Sequence, residues 1–145
     1  MNDLIQTLRT TLASNFALYL KTHMFHWNVE GSNFAEYHEF WSGVYEDLFA
    51  QSDVLAEYIR QAGEYTPGSL SVYSEISEVK DEEGFPKAEQ MFNQFMADNA
   101  TIINVYDRLY KAAEAAEQFQ ISDYAAQRLG AHRKHAWMVR SYLKA

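Results

Sequence analysis

Cysteine is absent from the 145 residues, which excludes disulfides and thiolate metal sites. No uninterrupted apolar run reaches membrane-spanning length. The N-terminus lacks the basic-then-apolar pattern of a secretion signal, and neither end carries a polybasic tail. With no such signal, the cytoplasm is the expected location. Positive charge is scarce: 12 Lys and Arg stand against 20 Asp and Glu, a formal net charge of -8. That balance runs against a protein that grips phosphates. It suits an ordinary soluble surface, and equally one that gathers cations. No segment has the period of a strand, and there is no internal repeat or low-complexity stretch.

What is present is a core. Apolar residues make up 48% and aromatics 15% of the chain, too many for a disordered polymer. The length suits one domain over 1–145. A first helix is predicted from near Asp3, with Ile5, Leu8, Leu12, Phe16, Tyr19, His23 and His26 along one stripe. It should stop between Asn28 and Gly31, where glycine accepts the left-handed conformation. Asn33, with Glu36 three residues on, reads as the capping box of a second helix over Phe34 to Ala62. Gly63 and Thr66-Pro67-Gly68 interrupt the pattern. The twenty or so residues that follow are too many for a bare loop, so a short helix is expected near Ser69 to Ser77. Pro86 fits the first position of a third long helix, which carries Phe92, Phe95, Asn99, Ile102, Tyr106, Leu109 and Ala113. Gln118 to Ser122 should connect to a fourth, capped by Ser122, with Ala125, Leu129, His132, Ala136, Val139 and Leu143 as its stripe. The fold class is therefore all-α: a ferritin-like four-helix bundle, with a long crossover carrying a short helix between the second and third helices.

The second helix has two apolar faces. Trp41, Tyr45, Leu48, Leu55 and Ile59 follow core spacing. Turned by roughly 100° lie His38, Phe49, Asp53 and Ala56, with Glu57 beside them. A surface helix buries one face, so the second stripe asks for a second copy of the chain across a two-fold axis. His26, His38, Asp53 and Glu57 are nitrogen and oxygen donors suited to an intermediate metal such as iron. A helix from His38 to Asp53 rises roughly 22 Å, so one chain cannot bring these four together. Antiparallel pairing of two such helices would. Each part alone has a plainer reading. The His-x-x-His pairs His23/His26 and His132/His135 read singly as packing, His132 as a satisfied core histidine, and Asp53/Glu57 as a solvated face. The Glu-x-x-His motifs of the usual di-iron bundle do not occur.

Taken together, the run His26-Trp27-Asn28-Val29-x-Gly31-x-x-Phe34-x-x-x-His38, followed by Asp53-x-x-Ala56-Glu57, resembles the signature of the Dps family. Lys134-His135-Ala136-Trp137-Met138 is similar to that family's closing helix, and Thr66-Pro67 falls where the family enters its crossover helix. The resemblance implies a hollow dodecamer built from two-fold dimers, which oxidises iron(II), preferentially with hydrogen peroxide, and stores ferric mineral. It implies that His26 and His38 come from one subunit, Asp53 and Glu57 from its neighbour. Trp27 would be the site-adjacent aromatic that gives up electrons and keeps radicals from solution.

Three departures from the family pattern stand out. Ser42 occupies the position of the family's first-subunit aspartate, and a neutral hydroxyl is a poorer ligand than a carboxylate. The segment that lines the family's three-fold pores reads Gln118-Phe119-Gln120-Ile121-Ser122-Asp123, leaving Asp123 as its main acid. The basic tails by which some members hold DNA are missing. Two other functions remain open at this level: a DNA-compacting protein, and a structural shell whose metal site Ser42 has weakened.

Overall fold

A computed structural model describes residues 2–144, leaving the two ends of the expected domain, Met1 and Ala145, outside it. Five helices and no strand occur among the described residues: α1 (Asn2–Asn28), α2 (Phe34–Gln61), α3 (Leu70–Ile76), α4 (Ala88–Ala115) and α5 (Phe119–Leu143). The four long helices surround one apolar core, with Leu8, Phe25, Trp41, Leu55, Phe95 and Tyr106 fully buried. Burial of each Leu or Phe there contributes roughly 1.5–3 kcal/mol.

The crossover fixes the topology. After α2 the chain runs along α1: Arg9 donates to the Tyr65 carbonyl at 3.3 Å, and the Ser14 hydroxyl accepts from the Glu78 amide at 3.0 Å. Further on, Lys21 donates to the Lys80 carbonyl at 3.0 Å. Phe85 and Pro86 then reach the turn at Asn28 and Gly31. The link has traversed the length of α1, so α4 starts at the end where α2 starts, and the Tyr37 and Phe92 rings meet there at 4.9 Å. Tyr142 of α5 closes the same end, stacked on Phe92 at 5.1 Å. Helices α2 and α4 thus run parallel, which distinguishes a ferritin-like bundle from an up-down-up-down one.

The helix ends depart from expectation in four places. Gly31 (φ 118°) does take the positive φ that the first stop needs. Asn33, however, makes no capping bond; its amide donates to the Tyr37 phenol at 3.3 Å. Pro86 lies two residues ahead of α4, whose N-cap is Lys87, with the Lys87 amide donating to Gln90 Oε1 at 3.0 Å. Ser122 is inside α5, its hydroxyl returned to the Phe119 carbonyl at 3.0 Å. The α4–α5 joint is shorter than expected because Glu117, a non-glycine, holds φ at 57° and ends α4 abruptly. Tyr45 also leaves the predicted core stripe: it is half-buried and stacks on His23 of α1, while Trp41, Leu48, Leu55 and Ile59 are fully buried as expected.

Candidate metal centre

The turn 29–33 folds the last turn of α1 onto the first turn of α2, and this brings His26 and His38 into contact. Their rings stack with centroids 3.7 Å apart and 17° between planes. His26 Nδ1 lies 2.7 Å from the His38 carbonyl oxygen, and His38 Nδ1 lies 2.7 Å from the His26 carbonyl oxygen. A carbonyl only accepts, so each Nδ1 carries the proton. In the neutral form of each ring the lone pair is then on Nε2. A backbone acceptor on one ring nitrogen is the usual device that orients a metal-ligating histidine and fixes its tautomer. Phe34 stacks on the far side of His38 at 4.9 Å.

The carboxylates expected to join them do not do so within one chain. Asp53 and Glu57 are exposed farther along α2. Among the described residues no three of His, Asp and Glu gather closely enough to hold a metal ion. Ser42, one turn beyond His38, donates to Glu46 Oε1 at 3.3 Å. Around these groups the α1–α2 surface stays apolar: Phe49 is 62% exposed, Trp27 58% and Phe34 44%. Asp123, at the start of α5, is exposed and accepts from Gln127 at 3.0 Å.

An aromatic cluster borders the histidines. His23 stacks on Tyr45 (3.8 Å, 8°) and lies 4.1 Å from Trp27. Its Nδ1 is 3.0 Å from the Tyr19 hydroxyl. Burial, and then the neighbouring His26, lower the His23 pKa, which keeps this ring neutral.

The middle of the bundle holds a polar network absent from the expectations. Asp47 of α2 receives both ends of the Arg128 guanidinium, at 2.8 and 2.7 Å, and His135 Nε2 at 3.2 Å. Burial alone would raise the Asp47 pKa; the bonds from His135 and Arg128 outweigh it and hold the carboxyl well below its usual range. Arg128 also lies 3.2 Å from His132 Nε2, while His132 Nδ1 meets Asn99 Oδ1 at 2.8 Å. His132 is fully buried and fully satisfied, as its place on the stripe suggested. Burial, then the charge of Arg128, push its pKa well down. A signal for this network was present in the sequence. Arg128 shares the helical register of Ala125 and His132, and Asp47 that of Val44 and Leu48, and a charge at a core register requires a partner.

A family model of the ferritin-like domain matches residues 5–145. The "DNA protection during starvation protein" of Brevibacillus brevis is 27% identical, over 94% of this chain and 92% of its own length. An uncharacterised low temperature-induced protein of Nostoc is 29% identical, over 97% of this chain and 79% of its own. The crystal structure of Dps from Staphylococcus aureus superposes with a TM-score of 0.95 at 30% identity, covering 100% of this chain and 97% of that one. The matched domain, the near-complete overlap with Dps chains and the parallel α2–α4 crossover converge, and the chain belongs to the Dps family of ferritin-like proteins.

Proposed function

We propose that this protein is an iron-oxidising mini-ferritin: one domain over 1–145 that assembles through two-fold dimers into a hollow dodecamer, oxidises iron(II) and stores the ferric product. The electron acceptor is hydrogen peroxide, with oxygen as the alternative; peroxide takes two electrons, one from each of two iron(II) ions. The substrate iron is held by His26 and His38 of one subunit with Asp53 and Glu57 of the next, and Trp27 is the redox-active aromatic beside them. The observation that carries this reading is the reciprocal bonding of His26 and His38, which engages Nδ1 of each ring and leaves Nε2 outside that bonding, while Phe49, Asp53 and Glu57 are exposed farther along α2. Imidazole and carboxylate donors suit iron, and the helix rise between His38 and Asp53 demands two chains.

The cytoplasm is the proposed location. No described helix is long and apolar enough to cross a membrane. DNA binding is weak or absent in this reading, because a net charge of -8 repels phosphate.

Subunit mixing tests the shared site. His38→Ala and Glu57→Ala cages should each lose most iron oxidation, whereas verified mixed cages should recover part of it, because some interfaces regain all four donors. Absence of recovery would place the site within one subunit. Both variants should stay folded, since neither side chain fills the core.

A further inference from the structure

The hydrogen bond between Tyr19 and His23 joins two residues outside the set proposed to hold iron. We infer that Tyr19 and His23 form a proton-coupled electron relay that refills Trp27 after it has been oxidised. The Trp27 and Tyr19 ring centroids lie 4.1 and 5.6 Å from that of His23, one helical turn after and before it in α1. Tyr45 holds that ring in place by near-parallel stacking at 3.8 Å. Trp27 is exposed on the single chain, on the face proposed to meet the second subunit, and Tyr19 is half-buried, so the relay leads from that interface into the subunit.

The step balances as follows. A one-electron oxidant, such as hydroxyl radical, takes an electron from Trp27 and leaves a tryptophan radical cation. Tyr19 supplies one electron to that cation and releases its phenolic proton along the 3.0 Å hydrogen bond to His23 Nδ1. The products are neutral Trp27, a neutral Tyr19 phenoxyl radical and a His23 imidazolium, so one positive charge is present before and after. Burial, then Tyr45, raise the Tyr19 pKa, so the phenol holds its proton at neutral pH, and His23 Nδ1 stands at hydrogen-bond distance to receive it. A phenol that must lose its proton on oxidation is a poor donor without a base at hydrogen-bond distance.

This inference rests on the proposed redox role of Trp27 but not on iron, so it is testable in iron-free protein. Assembled protein carrying Trp137→Phe, to remove the other exposed tryptophan, is oxidised by a flash-generated ruthenium(III) tris-bipyridine ion. Transient absorption and electron paramagnetic resonance then follow the radicals. The tryptophan radical is expected to decay as a tyrosyl radical rises, more slowly in heavy water. Tyr19→Phe should lengthen the tryptophan radical's life at least tenfold, a barrier change of about 1.4 kcal/mol. His23→Gln, which keeps a hydrogen-bond acceptor but not a base, should do the same, and Tyr45→Phe should not. Circular dichroism confirms that each variant is folded. An unchanged tryptophan-radical lifetime in Tyr19→Phe, or an undiminished tyrosyl signal that disappears only in Tyr45→Phe, overturns the relay. Failure here would leave the iron-oxidation reading standing, and failure of subunit mixing would leave the relay standing.

Discussion

His26 and His38 are each held by the other's backbone carbonyl, so neither imidazole can turn without giving up its own hydrogen bond. Ser42, one turn on, has no such fixed role; its hydroxyl only touches Glu46. An aspartate at that position would add an anionic oxygen near the proposed shared irons. Ser42→Asp is expected to tighten the more weakly held iron and to speed oxidation at low iron concentration. Its cost to the helix is small, about 0.2–0.5 kcal/mol for the new like-charge pair with Glu46. Anaerobic iron titration decides the matter: two equally tight irons per site in the unaltered protein would mean that Glu46 already supplies the missing charge. His132 gives a second residue-scale expectation. Its folded pKa lies below the ordinary 6.5, so below pH 6.5 the unfolded chain binds the extra proton. Its contribution is complete above pH 6.5 and falls as pH drops from there towards the folded pKa, by up to about 1.4 kcal/mol per pH unit. Asp47 acts in stronger acid, below its ordinary 3.8, because its folded pKa is depressed. Urea midpoints measured against pH should bend at about pH 6.5, and His132→Gln should flatten that bend while lowering stability overall.

At the scale of the helix, α2 is the element with two partners. Its inner face supplies Trp41, Leu48, Leu55 and Ile59 to the core, whereas Phe49 on the other face is 62% exposed. A Phe side chain left in water forgoes about 1.5–3 kcal/mol, which a second subunit could recover. Phe49→Glu is therefore expected to weaken dimerisation at least tenfold, the equivalent of about 1.4 kcal/mol, and to leave helix content unchanged. Sedimentation velocity and circular dichroism read the two effects, and an intact oligomer in the variant would contradict the proposed interface. The doubled face was legible in the sequence because a 3.6-residue period sorts side chains without knowledge of the fold. So were the four long helices, the crossover helix and the place of His132. Helix ends were less legible. Asn33 does stand at the N-cap of α2, though without a side-chain bond, whereas α4 and α5 start after Lys87 and Gln118 rather than at Pro86 and Ser122, and Glu117 makes a turn usually left to glycine. The pairing of Asp47 with Arg128 joins residues 81 positions apart, which no local period reveals. The His26–His38 stack was half-visible: its residues stood out, but the mutual carbonyl bonds depend on the geometry of the turn between the helices.

For the whole molecule, the arrangement of charge at its centre has a consequence in time. Bundles of this superfamily commonly gather metal ligands along their axis, and a protein whose centre is completed by a metal depends on supply for its own folding. Here the positive charge at the axis is Arg128, clamped by Asp47 and backed by His132, and it arrives with the chain itself. Exhaustive chelation should therefore leave the melting temperature of the assembled protein unchanged, and a large drop after metal removal would show that some structural ion had been overlooked. A container has to be finished before its contents are delivered. With Arg128 in place, the proposed shell would need no metal for its own building and would stand ready when its proposed substrate iron comes.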